Sequence, residues 1–120
     1  MSNIKVDESF GYWFSGFADG EGYFGIDYIK SSNYYRCRFA IGLREDDAEV
    51  LEYIFKYLGG SWTSCEHKVP GTKDKRLVLH SLEQCKRLVE VLDTYPLRTK
   101  KRNDYLIWRE AVHLQSSQST

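Results

Sequence analysis

The sequence predicts an α+β domain whose helices and strands follow one another in the order α-ββ-α-ββ-α-α. Apolar residues recur at helical spacing in some segments and alternate with polar residues in others, and a unit of one helix and two strands occurs twice. Because the connections are short, the four strands are expected to form one antiparallel sheet with helices covering one face. The length of 120 residues suits a single domain, 1–120, with flexible tails at about 1–7 and 114–120.

Local signals set the bounds of each element. Along the first half, we predict a helix over about 8–19 with Asp7 as the N-cap candidate, strands over 22–30 and 35–43, and a helix that opens at Asp46 and ends at Gly59. Along the second half, strands over 61–66 and 76–80 precede a helix that begins with a capping box of Ser81 and Gln84. Pro96 breaks the chain before a last helix over about 101–113.

Alternation within the strands separates a core face from a second face, which we call the open face. The residues predicted to point into the core are Phe24, Ile26, Tyr28, Tyr35, Cys37, Phe39, Ile41, Leu43, Leu77 and Leu79. Those on the open face are Tyr23, Gly25, Asp27, Ile29, Tyr34, Arg36, Arg38, Ala40 and Arg76. A half-solvated sheet with arginines is common in proteins that bind nothing, and it is also a shape that lies in a DNA major groove. Alternation alone leaves both readings open.

The charge distribution is more informative than the net charge of zero, which by itself does not indicate nucleic-acid binding. Residues 1–60 carry 6 basic and 10 acidic side chains, and residues 61–120 carry 11 and 7. Much of the positive charge lies in Arg98, Lys100, Lys101 and Arg102. On charge alone this run is typical of a solvated helix end rather than of a binding site.

The cysteines and the hydropathy pattern bound the compartment. Three cysteines without a paired spacing indicate free thiols in an intracellular reducing compartment, either a bacterial or phage-host cytoplasm or an organelle matrix. We predict that Cys37 and Cys85 lie in the core, and that Cys65 with His67 does not bind zinc because no second ligand pair follows. No apolar run approaches the roughly 20 residues of a membrane helix, so no membrane partner is expected.

The first helix has an unusual glycine pattern. Gly16 and Gly20 lie four residues apart, on the same side as Tyr12, while Phe10, Trp13, Phe14 and Phe17 can cover the sheet. Glycine inside a helix costs about 1 kcal/mol relative to alanine, which makes sense where another backbone approaches closely. Because the motif occurs once, a symmetric homodimer would supply that partner helix. Its predicted interface residues are Tyr12, Gly16, Asp19 and Gly20.

Glu21 follows this glycine face directly. In such a dimer the two copies of Glu21 would lie near the two-fold axis, where cations would relieve their repulsion, and hard oxygen ligands suit Mg²⁺. The alternatives are that Asp19 and Glu21 are ordinary polar residues of a glycine-rich turn, or that the helix serves only assembly.

Three segments carry a resemblance to a known family. The segment Phe14–Gly22, FSGFADGEG, resembles the LAGLIDADG signature of homing endonucleases, especially its LAGFIDGEG form. Phe39–Gly60 is similar to the second strand and following helix of that family, and Tyr95–Val112 to its basic segment and C-terminal helix. The family's α-ββ-α-ββ-α order also matches, so the likeness to the single-motif, homodimeric type covers nearly the whole chain.

The resemblance implies a site-specific DNA endonuclease. Such an enzyme makes double-strand breaks in a long pseudo-palindromic site of about 20 bp by metal-dependent phosphodiester hydrolysis, at roughly one helical turn per protomer. It implies catalytic roles for Glu21 and Lys100, with Lys101 as an open alternative, and metal ligation by Glu21 and the Gly20 carbonyl. The metal would be Mg²⁺, with Mn²⁺ or Ca²⁺ able to occupy the site. Where relatives have a polar, water-ordering residue, this chain has Leu43 followed by Arg44.

The same resemblance assigns DNA contacts. Base contacts are expected from the open face, and phosphate contacts from exposed basic residues. The candidates are Tyr23, Asp27, Ile29, Tyr34, Arg36, Arg38, Ser64, Glu66, Lys68, Lys73, Lys75, Arg76, Arg98 and Arg102. The alternative within the family is an intron RNA-splicing maturase or a DNA-binding protein that has lost cleavage.

Overall fold

The computed structural model describes residues 6–66, 71 and 73–118. Its helices and strands are α1 (Glu8–Glu21), β1 (Gly22–Ile29), β2 (Tyr34–Arg44), α2 (Ala48–Leu58), β3 (Ser61–Glu66), β4 (Lys73–Leu79), α3 (Leu82–Thr94) and α4 (Lys101–Gln118). The four strands form one antiparallel sheet in the order β1-β2-β4-β3. The predicted fold class, element order and single antiparallel sheet are therefore confirmed.

The predicted helix signals act as expected. The Asp7 side chain accepts a hydrogen bond of 2.7 Å from the Phe10 amide and so caps α1. Ser81 and Gln84 form the predicted capping box at the start of α3. Gly59 ends α2 at a φ of 73°, a left-handed conformation that a residue with a side chain rarely adopts.

The last helix is longer than predicted, and this is a correction to the predicted tail at 114–120. α4 continues to Gln118, and Gln115 is buried. The Gln115 Oε1 accepts from the Cys37 amide at 3.3 Å, and its Nε2 donates to the Tyr34 hydroxyl at 2.7 Å. Because β4 pairs with β2 only over residues 39–44, the amide of Cys37 has no strand neighbour on that side. A side chain distant in sequence satisfies it instead.

The core lies between one face of the sheet and the helices. It includes Phe10, Phe14, Ala18, Cys37, Phe39, Ile41, Leu51, Ile54, Leu58, Leu77, Leu79, Leu88, Leu92, Trp108 and Val112. Cys37 and Cys85 are buried free thiols, as predicted, and burial raises the pKa of each, to about 11 and about 12. Among the described residues, no helix has the length and apolar character needed to span a membrane.

Four predicted core side chains are exposed. Ile26, Tyr28 and Tyr35 are 41%, 49% and 51% exposed. They belong to the end of the β1–β2 hairpin that extends beyond β4, so nothing in the described chain covers them fully. Trp13 is also 38% exposed, and it stacks on Phe17 with ring centroids 5.1 Å apart instead of covering the sheet.

Trp108 connects α4 to strands β1 and β2. It is buried, and its Nε1 donates to the carbonyls of Gly25 and Arg38 at 3.1 and 3.0 Å. This bifurcated bond fixes the backbone of β1 and β2 from the core side, directly beneath the middle of the open face.

Candidate functional site

The junction of α1 and β1 sets the position of the predicted acidic residue. Glu21 is the last residue of α1 and is exposed, and Gly22 turns the chain into β1 with extended backbone angles. A Cβ on Gly22 would lie 2.8 Å from the Phe39 ring and 2.9 Å from the Ala18 carbonyl oxygen, so this turn is too tight for a side chain. The carboxylate therefore emerges where the glycine face of α1 meets the open face of the sheet.

Asp19 ties the basic segment to the same junction. Its carboxylate accepts from the amides of Arg98 and Thr99 at 2.8 and 3.1 Å and from the Thr99 hydroxyl at 2.8 Å. Burial alone would raise the pKa of Asp19, but the hydrogen bonds from Arg98 and Thr99 outweigh it and lower the pKa below its ordinary value. Asp19 is thus engaged within its own chain, and its predicted contribution to a dimer interface stays a prediction.

Lys101, rather than Lys100, lies at the junction. The Nζ of Lys101 donates to the Gly22 carbonyl at 2.6 Å and is partly buried, one residue from Glu21. Lys100 is exposed, and its ammonium group has no polar contact within the described part of the chain. Lys101 is the first residue of α4, which packs against β1 and β2, so its side chain is directed back to the start of β1. The sequence identified the lysine pair and favoured Lys100, whereas the structure brings Lys101 to this junction. Which of the two serves catalysis stays a prediction.

Glu21 opens onto a depression on the open face. The depression has a volume of about 530 Å³ and is lined by Glu21, Tyr23, Arg38, Ala40, Gly42, Asp74 and Arg76. Gly42 and Asp74 were missed by the sequence analysis, although strand alternation continued past Ala40 would have found Gly42. Gly42 lies opposite Arg76 in the β2–β4 pairing and leaves the Arg76 side chain room above the sheet.

Arg38, which lines this depression, has two side chains next to its guanidinium group, those of Asp27 and Tyr23. Arg38 pairs with Gly25 across β1 and β2, and its Nε lies 3.2 Å from a carboxylate oxygen of Asp27. Its guanidinium carbon lies 5.7 Å from the centre of the Tyr23 ring. The Nε is enclosed and has no well-aligned hydrogen bond, so the contact with Asp27 is an ion pair. Arg38 is therefore flanked by a carboxylate and a ring.

The glycine face of α1 is uncovered. A Cβ on Gly16 or Gly20 would meet no atom within 4 Å, and Tyr12 is 59% exposed with its ring 4.9 Å from that of Tyr95. Nothing in the described chain requires glycine at these two positions.

Comparison with known proteins identifies the family. Residues 14–112 match the LAGLIDADG endonuclease family. The chain belongs to this family. The predicted resemblance is thereby confirmed.

Curated relatives are longer proteins. The chain is 30% identical over 110 residues to the probable intron-encoded endonuclease 3 of Neurospora crassa, covering 88% of this chain and 20% of that protein. It is 31% identical over 107 residues to the probable intron-encoded endonuclease Cox1-I1b of Schizosaccharomyces pombe, covering 86% and 27%. The chain thus spans about a fifth to a quarter of the length of these relatives.

Solved structures of family members share the fold. I-CpaMI bound to uncleaved DNA superposes with a TM-score of 0.75 at 26% identity, over 96% of this chain and 40% of that one. I-AabMI bound to uncleaved DNA gives 0.74 at 29% identity, over 91% and 38%. The homing endonuclease I-TnaI gives 0.77 at 24% identity, over 90% and 74%, and this likeness concerns the fold alone.

The LAGLIDADG signature ends in donors that fit a hard divalent ion. Within the described residues, no group of three His, Cys, Asp or Glu side chains could hold a metal. Mg²⁺, however, is usually bound by one or two carboxylates, with water and substrate phosphates completing its shell. The exposed Glu21 carboxylate and the adjoining Gly20 carbonyl, at the negative end of α1, are ligands of that kind. The residues therefore fit Mg²⁺ if substrate or a second copy completes the site.

One predicted base contact lies on the wrong face. Ser64 pairs with Lys75, on the side of Trp62 and Leu77, and this is the face covered by helices. The face is set by Trp62, which packs against the core and contacts Phe55 in a tilted arrangement with ring centroids 5.3 Å apart. The open-face position of β3 is instead Thr63, opposite Arg76.

The two β4 lysines are also displaced from the open face. Lys73 and Lys75 alternate with Arg76 and so lie on the helix-covered side, and the Lys75 ammonium lies 4.7 Å above the Trp62 ring. Their predicted phosphate contacts are not supported by this position. Lys68 and the side chain of Glu66 lie outside the described residues.

The remaining candidates lie at the margins of the site. Ile29 and Tyr34 pair at the far end of the hairpin, and the Tyr34 hydroxyl is engaged by Gln115. Arg36 is exposed opposite Asp27. Arg98 and Arg102 are exposed, and the Arg98 amide is held by Asp19. Leu43 packs against the core. Arg44 forms an exposed ion pair of 3.7 Å with Asp46.

Proposed function

We propose that two copies of this chain form a site-specific homing endonuclease that cleaves both strands of duplex DNA by metal-dependent phosphodiester hydrolysis. The proposal rests on one observation: Glu21 ends the glycine-faced helix at the edge of an open sheet face, in a single depression with Arg38 and Arg76. A carboxylate next to guanidinium groups suits duplex DNA, because the guanidinium donors can reach base edges while the carboxylate holds a cation beside the backbone. Family membership and the DNA-bound relatives support the same reading.

The glycine face supports a homodimer. Gly16 and Gly20 each cost about 1 kcal/mol of helix stability relative to alanine. No contact within the described chain compensates for this cost, because both positions face open space. Two such helices crossing at a two-fold axis would gain close backbone packing, and both copies of Glu21 would then lie beside the axis.

In the proposed reaction, a divalent ion and the chain's own side chains would have separate roles. Mg²⁺ at Glu21 and the Gly20 carbonyl would supply activation of water and stabilisation of the leaving 3′ oxygen, and Mn²⁺ or Ca²⁺ could occupy the same oxygen ligands. Lys101, held by the Gly22 carbonyl at 2.6 Å, keeps a fixed positive charge beside this position. We assign it to the scissile phosphate, whose developing negative charge it would stabilise. The exposed Lys100 is assigned to a flanking phosphate.

Recognition is assigned to the open face. Strands of this kind lie in the major groove, and Arg36, Arg38 and Arg76 carry donors suited to guanine edges. One protomer per helical turn predicts a pseudo-palindromic site of about 20 bp. The exposed Arg98 and Arg102 would contact phosphates. The buried free thiols support a reducing compartment for this activity.

Selection of cleaved sites from a random DNA library in Mg²⁺ tests the proposal. The Glu21→Gln variant keeps the size of the side chain but removes its charge, so cleavage of the selected site should fall by at least about a hundredfold while the fold and DNA binding remain. Glu8→Gln is the matched control, because Glu8 is an exposed glutamate at the other end of α1, and it should cleave like the wild type.

Two results would overturn the proposal. One is a Glu21→Gln variant that cleaves at the wild-type rate. The other is a wild-type protein that binds nucleic acid but leaves DNA uncut at every Mg²⁺ concentration, which would favour the maturase or cleavage-inactive alternative.

A further inference from the structure

Arg36 and Arg38, two arginines of β2 on the open face, have different surroundings. In the register, Asp27 lies directly opposite Arg36, yet its carboxylate is 3.2 Å from the Nε of Arg38, one step along the strand. Arg38 leans across Gly25 to reach it. Arg36 remains exposed, with no ion pair among the described residues. The strand register alone therefore does not decide which arginine pairs with Asp27.

Gly25 provides the space for this arrangement. A Cβ at Gly25 would lie 2.9 Å from the Tyr23 ring and 3.4 Å from the Arg38 Nε. The absence of a side chain allows Tyr23 and Arg38 to meet above the strand, with the guanidinium carbon 5.7 Å from the ring centre. From below, Trp108 holds the carbonyls of Gly25 and Arg38. Both ends of the Arg38 residue, backbone and guanidinium, are thus restrained.

We propose that Asp27 is a positioning residue that aims Arg38 at one guanine in each half of the DNA site. The Nε is enclosed, but neither Nη group has a hydrogen bond or ion pair among the described residues and the Arg38 side chain is 35% exposed, so the two Nη groups remain available. That pair matches the O6 and N7 acceptors of guanine. Restraint before binding reduces the entropy lost on contact, so Arg38 discriminates bases more sharply than the free Arg36. This inference rests on the proposed function, since it assumes that the open face enters a DNA groove.

The geometry also orders the two contacts along the DNA. Arg38 is level with Gly25 and Arg36 with Asp27, so Arg38 lies nearer to Glu21. At about 3.3 Å per residue, Gly25 lies roughly 13 Å along the chain from Glu21, a distance of about four base pairs. The guanine read by Arg38 is therefore expected closer to the cleaved bond than the position read by Arg36.

The test is a binding selection in Ca²⁺, with libraries in which each base pair of the preferred site is varied in turn. Asp27→Asn keeps the shape of the side chain and removes its charge. Discrimination for guanine should fall by about tenfold at one inner position of each half-site and remain unchanged elsewhere. Arg38→Lys should lose the same preference, and the double variant should lose no more than Arg38→Lys alone. Gly25→Ala, which leaves both charges in place, should reproduce the loss at that position.

Arg36→Lys is the matched control, because it changes the neighbouring arginine on the same strand and face. It should alter only a position farther from the cut. The inference is overturned if Asp27→Asn leaves the base profile unchanged, if it weakens all positions equally, or if the wild type shows no base preference in binding. Since the readout is binding, loss of this inference is distinguishable from loss of cleavage, which the Glu21→Gln comparison reports.

Discussion

The two faces of α1 use the same residue type for different reasons. On the inner face, Phe10, Phe14 and Ala18 are fully buried, and a Cβ on Gly11 would lie 2.3 Å from the Tyr95 ring. On the outer face, Cβ atoms on Gly16 and Gly20 would touch nothing within 4 Å. Contacts within the described residues thus explain glycine on the inner face of α1, and they do not explain glycine on its outer face.

This difference between the two faces of α1 distinguishes glycines that the fold of the chain requires from glycines proposed to serve dimerisation. A helix interior gains about 1 kcal/mol from each glycine replaced by alanine when nothing opposes the added methyl group. At Gly11 the Tyr95 ring opposes it, and at Gly16 nothing in the described chain does. No described residue explains the glycines of the outer face, so substitutions on the two faces should affect different measurements.

The largest effect is expected for Gly16→Leu. Leucine on the close-packed face would force the two helices apart at both copies, raising the dimer dissociation constant by at least about a hundredfold. DNA cleavage should be lost with the dimer, because one copy holds a single Glu21. We choose Gly16 because Gly20 also provides a proposed metal ligand. Analytical ultracentrifugation and cleavage of the selected site measure the two effects together.

The Gly16→Leu monomer should remain folded, since no atom within 4 Å opposes a Cβ there. A circular dichroism spectrum like that of the wild type is the control. A variant that stays dimeric and cleaves normally would contradict the interface assignment.

A smaller effect is expected for Gly11→Ala, and it should appear in folding stability rather than in dimerisation. The added methyl group would overlap the Tyr95 ring, so urea unfolding should show a loss of about 1–3 kcal/mol. Dimer dissociation should change little after correction for folding. In a Tyr95→Ala background the loss should largely disappear, because the opposing ring is gone. A Gly11→Ala protein as stable as the wild type would show that Tyr95 shifts without cost.

The sequence predicted those features that depend on local patterns. Strand alternation identified Arg36, Arg38 and Arg76 as open-face residues, and the cap signals at Asp7 and Ser81 identified two helix starts. Each of these depends on residues within a few positions of one another, so neighbouring side chains decide the outcome.

Features decided by distant contacts were not predictable. Lys100 and Lys101 are adjacent in sequence, and only the packing of α4 on β1 brings Lys101 to the Gly22 carbonyl. Ser64 is expected among the DNA contacts, but Trp62 of the same strand contacts Phe55 of α2, and this places Ser64 on the helix-covered face. The ion pair of Asp27 with Arg38 instead of Arg36 likewise depends on a glycine in the neighbouring strand.

The smallest expected effect is the change in the free energy of unfolding when an outer glycine of α1 is replaced by alanine. It is also the most informative, because its sign should be opposite on the two faces of α1. Gly16→Ala should stabilise the monomer by up to about 1 kcal/mol, since alanine restricts the unfolded chain and the methyl group meets open space. Urea unfolding at protein concentrations where ultracentrifugation shows a monomer measures this gain without the dimer. Alanine would then stabilise the helix at one glycine and destabilise the fold at another only five residues earlier, a contrast that helix propensity alone cannot produce. If Gly16→Ala destabilised the monomer instead, the outer glycines would serve the fold of the single chain. Their exposure would then no longer indicate that a second copy packs against this face.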